Sequence, residues 1–248
     1  MWRKVGSCLL AGSLMAIAVS AQTAGQLAAK NIQARGGGKL RSLKTIRMSG
    51  KFTSGGTEGS PLLVELAPPG HKVRLETTEK GQTDIRAYDG SVGWTWLRSE
   101  GEQKPTTLAG DALKDIKDSA DFEGGLYDFE AKGNQVEYLG KDDVSGTPAY
   151  KLKLTERDGK ETTIYLDAKT YLEIREESIH GNHGDIKQFV TTYSDYKQID
   201  GLTVPMTITT TSKEEMGGGA IRIEGEVVFA FDKVEVNVDL PASRFAKP

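Results

Sequence analysis

The feature that most restricts the fold of this chain is a two-residue hydrophobic alternation that restarts repeatedly between short turn signals. Ile46, Met48 and Phe52 alternate with Thr45, Arg47 and Lys51; Leu62, Val64 and Leu66 follow, then Val73 and Leu75, Ile85 and Ala87, and Val92, Trp94 and Trp96. The pattern resumes with Val136 and Tyr138, with Tyr150, Leu152 and Leu154, with Ile164 and Leu166, and with Leu172 and Ile174. It ends in a stretch around Phe189 to Tyr196, then Val204 to Thr210 and Ile221 to Phe231. Successive strand side chains point to opposite faces, so this period marks strands with one buried face. Eleven or twelve strands are predicted on this count. Pro68-Pro69-Gly70, Asp89-Gly90, Ser145-Gly146, Asp158-Gly159, Gly181-Asn182, Asp200-Gly201 and Gly217-Gly218-Gly219 separate them. Connections this short join antiparallel neighbours. The fold class expected is mainly β with α: an antiparallel sheet curled into an unclosed barrel.

Helical spacing occurs in two places. Thr23 to Arg35 sets Leu27, Ala28 and Ile32 on one face, and Gly36-Gly37-Gly38 stops it, which predicts an N-terminal helix. After Thr106 or Thr107 as a cap, Ala109, Ala112, Leu113, Ile116 and Ala120 recur at steps of three and four, with Asp111, Lys114, Asp115, Lys117 and Asp118 largely opposite. This short amphipathic helix, inserted between the Trp94–Trp96 strand and the Val136–Tyr138 strand, is a candidate lid for the open side of the sheet.

The N-terminus reads as an export signal. Arg3 and Lys4 precede an apolar run from Val5 to Val19, and Val19-Ser20-Ala21 offers small residues for cleavage before Gln22. The expected organisation is a signal peptide over 1–21, cleaved after Ala21, and one domain over 22–248. Cys8, the chain's single cysteine, would leave with that peptide, so the exported protein carries no disulfide, which suits a bacterial periplasm. Without Arg3 and Lys4 the formal charge moves from −3 to −5. A weak acidic balance with interspersed signs lacks the basic field of a nucleic-acid binder. The 29 glycines exceed the ordinary share and suit a bent sheet better than a solid core.

Several segments together resemble the LolA/LolB-like outer-membrane lipoprotein-sorting family. Tyr88-Asp89-Gly90 with Gly93-Trp94 is similar to its hairpin motif, as are Leu139-Gly140 through Gly146-Thr147-Pro148-Ala149-Tyr150-Lys151-Leu152, Tyr165-Leu166-Asp167 and Thr170-Tyr171-Leu172. Tyr193-Ser194-Asp195-Tyr196, Asp200-Gly201-Leu202 with Pro205, and Asn237 with Phe245-Ala246-Lys247-Pro248 continue the resemblance to the C-terminus. It implies an unclosed barrel of about eleven antiparallel strands with helices as a lid, whose concave apolar face holds acyl chains in transit through the periplasm. One departure is visible. Where the family's carrier places an arginine before a proline on an early strand, this chain reads Leu66-Ala67-Pro68-Pro69, with Arg74 only later.

Carriage of acyl chains needs an apolar cavity and no titratable group of exact position. Burying a methylene gains about 0.8 kcal/mol, so roughly a dozen give on the order of 10 kcal/mol before ordering costs. The lipid-binding candidates are Met48, Phe52, Trp94, Trp96, Phe189, Met206 and Ile208, with Leu113 and Ile116 as the lid. The partners expected are lipid or lipoprotein acyl chains, with an inner-membrane export complex or an outer-membrane acceptor, and the protein is expected to be a monomer. A sensor of the same shape, recognising a protein or mislocalised lipoprotein and signalling to a partner, is the alternative.

An enzyme is not expected, nor a cofactor. His180 and His183 with Asp185 can bind zinc or copper chemically, but they flank a glycine-rich turn and read as a solvated hairpin tip. His71 is isolated, no Gly-x-Ser-x-Gly elbow occurs, and Gly36-Gly37-Gly38-Lys39 lacks phosphate-loop spacing. Asp142-Asp143 and Glu176-Glu177 are adjacent pairs whose members point to opposite strand faces, and both pairs are expected to be solvated.

Overall fold

A computed structural model describes residues 23–56, 59–180, 187–216 and 220–248. The predicted signal peptide, the Gly181-Asn182 and Gly217-Gly219 turns, and His183 and Asp185 lie outside the described residues. No helix among the described residues is long and apolar enough to cross a membrane.

In chain order the elements are α1 (Ala24–Arg35), α2 (Gly38–Arg41), β1 (Ile46–Ser54), β2 (Ser60–Ala67), β3 (Lys72–Glu79), β4 (Gln82–Tyr88), β5 (Gly93–Trp96), β6 (Thr106–Thr107) and α3 (Gly110–Ser119). Then follow β7 (Gln135–Val144), β8 (Thr147–Thr155), β9 (Glu161–Asp167), β10 (Glu173–His180), β11 (Lys187–Ser194), β12 (Lys197–Ile199), β13 (Leu202–Val204), β14 (Thr207–Met216) and β15 (Ala220–Val236). Thirteen strands form one antiparallel sheet in the order β6-β5-β4-β3-β2-β1-β15-β14-β11-β10-β9-β8-β7, and β12 pairs with β13 beside it. The sheet does not close, because β6 and β7 stand at its two free edges.

The strand count exceeds the eleven or twelve expected, for identifiable reasons. Pro205 divides the Val204–Thr210 run into β13 and β14, and a proline cannot donate to a ladder. Thr106 and Thr107 do not cap a helix; they form β6 against Thr95 and Trp94, and α3 begins after Ala109 with no side-chain cap. Val92 falls outside β5 and is partly exposed.

The first helix forms as its sequence dictates. Thr23 and Gln26 make a reciprocal capping box, and Gly36 ends α1 with φ 131°. A side chain at Gly36 would meet the Gly201 carbonyl oxygen at 2.7 Å, so backbone conformation and space both demand glycine there. Gly37 does not end helical structure, since Gly38 opens α2.

Alternation places Ile46 and Met48 of β1, Val64 and Leu66 of β2, Val73 of β3, and Phe231 and Val234 of β15 on one face, in a core shared with Leu40, Leu43, Met206 and Ile116. At the other end of the same face Leu152, Leu154, Ile164 and Leu166 pack on Leu27, Ala28 and Leu126. The opposite, outer face carries Ile85, Ala87, Trp94 and Trp96.

A bipolar cavity on the inner face

A cavity of about 760 Å³ lies on the inner face, lined by Leu75 of β3 at one side and Leu154 of β8 at the other. These strands are eight positions apart in the sheet. Flat, that is on the order of 38 Å at about 4.8 Å per strand. Two such strands share one cavity only if the sheet curls.

One wall is apolar. Met48, Val64, Leu66, Ile208, Phe229 and Phe231 face the space from β1, β2, β14 and β15. The other wall is polar, built by Glu173 and Glu176 of β10, Tyr193 and Tyr196 around the end of β11, and Arg35 from the last turn of α1. Glu173 and Glu176 are three residues apart, which on a regular strand puts them on opposite faces. A bulge between Glu173 and Arg175 changes the parity, and both side chains reach the cavity.

Tyr193 donates its hydroxyl to Glu176 Oε2 at 2.9 Å, and Tyr196 donates to the Glu173 carbonyl oxygen at 2.7 Å. Burial, then the Glu173 charge, pushes the Glu176 carboxyl up to about 7, against the lowering influence of the Tyr193 hydrogen bond, Arg35 and Lys160. Burial also raises both phenols, with Glu176 contributing at Tyr193 and Glu173 at Tyr196. The Arg35 guanidinium donates to the carbonyl oxygens of Phe122 and Glu123, which fastens the end of α1 to the loop after α3.

The helix α3 borders this cavity. Lys117, Asp118 and Ser119 line it, whereas Leu113 and Ile116 point onto β5. A side chain at Gly93 would approach Leu113 Cδ1 at 2.6 Å and Ile116 Cγ2 at 3.2 Å, so the close seat of the helix on the sheet depends on glycine there. At the far side Lys114 pairs with Asp158 at 2.5 Å, and Lys160 pairs with Asp118 at 3.0 Å and Glu156 at 3.7 Å. The helix therefore bridges β5 and the β8–β9 hairpin. Burial disfavours the Lys160 ammonium, but the hydrogen bond and charge of Asp118, with Glu156, outweigh it and raise its pKa.

The seven lipid-binding candidates separate by face. Met48 and Ile208 line the cavity. Phe52, Met206 and Phe189 share the inner face without lining it: Phe52 packs on Phe229 with ring centroids 5.4 Å apart, Met206 is core, and Phe189 lies further along β11. Trp94 and Trp96 belong to the outer face. Trp94 is buried beneath the C-terminal segment, where its indole donates to the Phe245 carbonyl oxygen at 2.8 Å, and Trp96 donates to the Glu102 carbonyl oxygen at 3.0 Å. Their alternation fits either face, because Ile85 and Ala87 make the outer face of β4 apolar too. His71, isolated in the sequence, also lines the cavity.

Of the two carboxylate pairs, Glu176 and Glu177 do point to opposite faces, but Glu176 lines the cavity, partly buried, instead of standing in open solvent. Its ladder neighbours Ile164 and Thr191 share its face, a signal present in the alternation of β9. Arg74 bonds to groups outside α3. It sits on the outer face, bonded to Glu76 Oε1 at 2.6 Å and to the Arg244 carbonyl oxygen at 3.0 Å.

An open, curled antiparallel sheet with its cavity on the inner face and helices packed against that face is a LolA-like fold. Solved structures agree with this class. A LolA superfamily protein from Nitrosomonas europaea superposes with a TM-score of 0.57 at 15% identity, over 92% of this chain and 99% of that one. A putative outer membrane lipoprotein-sorting protein domain from Vibrio parahaemolyticus gives 0.55 at 10% identity, over 88% and 97%. A DUF1329 family protein from Desulfovibrio piger gives 0.52 at 11%, over 90% and 97%. No protein-family model and no curated protein matches the chain.

Proposed function

We propose that this protein is a non-enzymatic periplasmic carrier that holds the acyl chain of a lipid or lipoprotein in the inner-face cavity, in lipid transport or outer-membrane lipoprotein sorting. The carrying observation is the cavity itself: about 760 Å³, with an apolar wall from Met48 to Phe231. That volume falls in the range of roughly 300–1,000 Å³ typical of small-molecule sites. Adaptable Met48 and aromatic Phe229 and Phe231 suit chains of variable length and unsaturation. The similarity to lipoprotein-sorting folds favours the same reading.

On this reading residues 1–21 direct export and are cleaved after Ala21, residues 22–248 act as one half-barrel domain, and an inner-membrane export complex or outer-membrane acceptor supplies or receives the cargo. The helix α3 is the cover, anchored on β5 by Leu113 and Ile116 and meeting the ligand with its last turn. Mass spectrometry of organic extracts from native protein, purified without detergent, should reveal an acyl lipid at near-stoichiometric amount. Extracts indistinguishable from a blank would contradict the carrier.

A further inference from the structure

A cavity meant only for hydrocarbon has no need of a polar wall, yet this one places two carboxylates there. The strong donors on and beside this wall are largely engaged. The hydroxyls of Tyr193 and Tyr196 are taken by Glu176 and by backbone. The Arg35 guanidinium is bound to the carbonyls of residues 122 and 123, the Lys160 ammonium to Asp118 and Glu156, and the Lys132 ammonium to Asp121 and the Gly124 carbonyl. Lys117, on the α3 side, stands 5.7 Å from the centre of the Tyr88 ring. What remains open is acceptor capacity. Tyr193 occupies only Oε2 of Glu176, while Glu176 Oε1 and the Glu173 carboxylate have no hydrogen-bond or ion-pair partner among the described residues.

We infer that Glu173 and Glu176 form a headgroup subsite for a protonated amine, so that the preferred ligand is an amphiphile with a cationic, hydrogen-bond-donating head and its chain along the Met48–Phe231 wall. This rests on the carrier reading and narrows its ligand class. A partly buried carboxylate with no cation bonded to it is stabilised by an ammonium donating to it. A carboxylate- or phosphate-headed ligand would meet like charge at Glu173 and Glu176. Burial and then Glu173 raise the Glu176 carboxyl, and Tyr193, Arg35 and Lys160 offset only part of this.

The test is displacement of the uncharged dye Nile red from the purified full-length mature protein by dodecylamine, dodecanol and dodecanoate, below their micellar concentrations and at mildly alkaline pH. Dodecylamine should compete about ten-fold or more better than dodecanoate, with dodecanol between, as a charge-assisted hydrogen bond predicts. In the E173Q/E176Q variant, which keeps side-chain shape, dodecylamine should compete no better than dodecanol. Equal or tighter competition by dodecanoate, or an amine preference that survives in the variant, overturns the headgroup subsite and leaves the carrier standing. Failure of Nile red and all three chains to bind the wild type overturns both.

Discussion

Two glutamates on opposite faces of this sheet meet opposite fates. Glu65 on β2 is 0% exposed on the outer face, yet both its oxygens are held: Arg47 reaches Oε1 at 2.8 Å and Arg244 reaches Oε2 at 2.8 Å. Arg244 also bonds Glu76 at 2.9 Å, so the pair pins the C-terminal segment over Trp94. Glu176 on β10 faces the cavity with one tyrosine hydroxyl and no arginine bonded to it. A buried charge is tolerated when paired, and neutralises or awaits a partner when not. The comparison separates a face whose buried charge is fully paired from one whose carboxylate faces an open cavity.

Breaking the paired face should have the largest effect. Glu65→Gln leaves Arg47 without its charge partner and Arg244 with Glu76 alone, and should destabilise by about 3 kcal/mol in urea unfolding. Trp94→Ala, a large cavity on the same face, should cost a similar amount, about 3–5 kcal/mol. Nile red affinity of the folded fraction should stay unchanged in Trp94→Ala, whereas lost affinity would return Trp94 to the ligand site.

The open face should respond with the opposite sign. A carboxyl whose folded-state pKa is about 7, raised from an ordinary 4.5, binds its proton more tightly folded than unfolded. Stability from that group is present below about pH 4.5 and is lost as pH rises toward 7. Glu176→Gln should therefore be more stable than wild type above neutrality, by on the order of 2 kcal/mol, with the gap closing toward the ordinary carboxylate pKa. Urea midpoints at both ends of that range check this, and a Glu176→Gln protein destabilised like Glu65→Gln would erase the contrast.

The cover comes next. Leu113→Ser with Ile116→Ser should weaken Nile red binding by on the order of ten-fold while the sheet's circular dichroism persists. Unchanged affinity in that folded variant would deny α3 a covering role. The smallest effect is expected at the half-exposed Lys114–Asp158 pair, where Asp158→Asn should cost about 0–1 kcal/mol and less in high salt.

Much of this organisation was legible in the alternation, and the misplacements have physical causes. The parity of β1 and β14 set Met48 and Ile208 on the cavity, because their outward neighbours are polar and only one face can be buried. On β4 and β5 both faces carry apolar groups, so parity could not tell the cavity from the surface beneath Phe245. That covering contact joins residues 151 positions apart in sequence. For Glu176 the alternation gives the geometry and not the environment: adjacent residues do diverge, but the face it takes lines the cavity enclosed by the curl of the sheet. Glu173 joins it only through a bulge at Ile174, a register change that no local residue type announces.

The most direct test of the carrier is native mass spectrometry of the detergent-free mature protein beside an Ile208→Trp variant, which fills the apolar wall without touching Glu176 or the Glu65 clamp. The wild type should carry added mass that dissociates as an amphiphilic lipid, and the filled variant should fly as bare polypeptide. A wild type that also flies bare, with both proteins folded, would contradict the account.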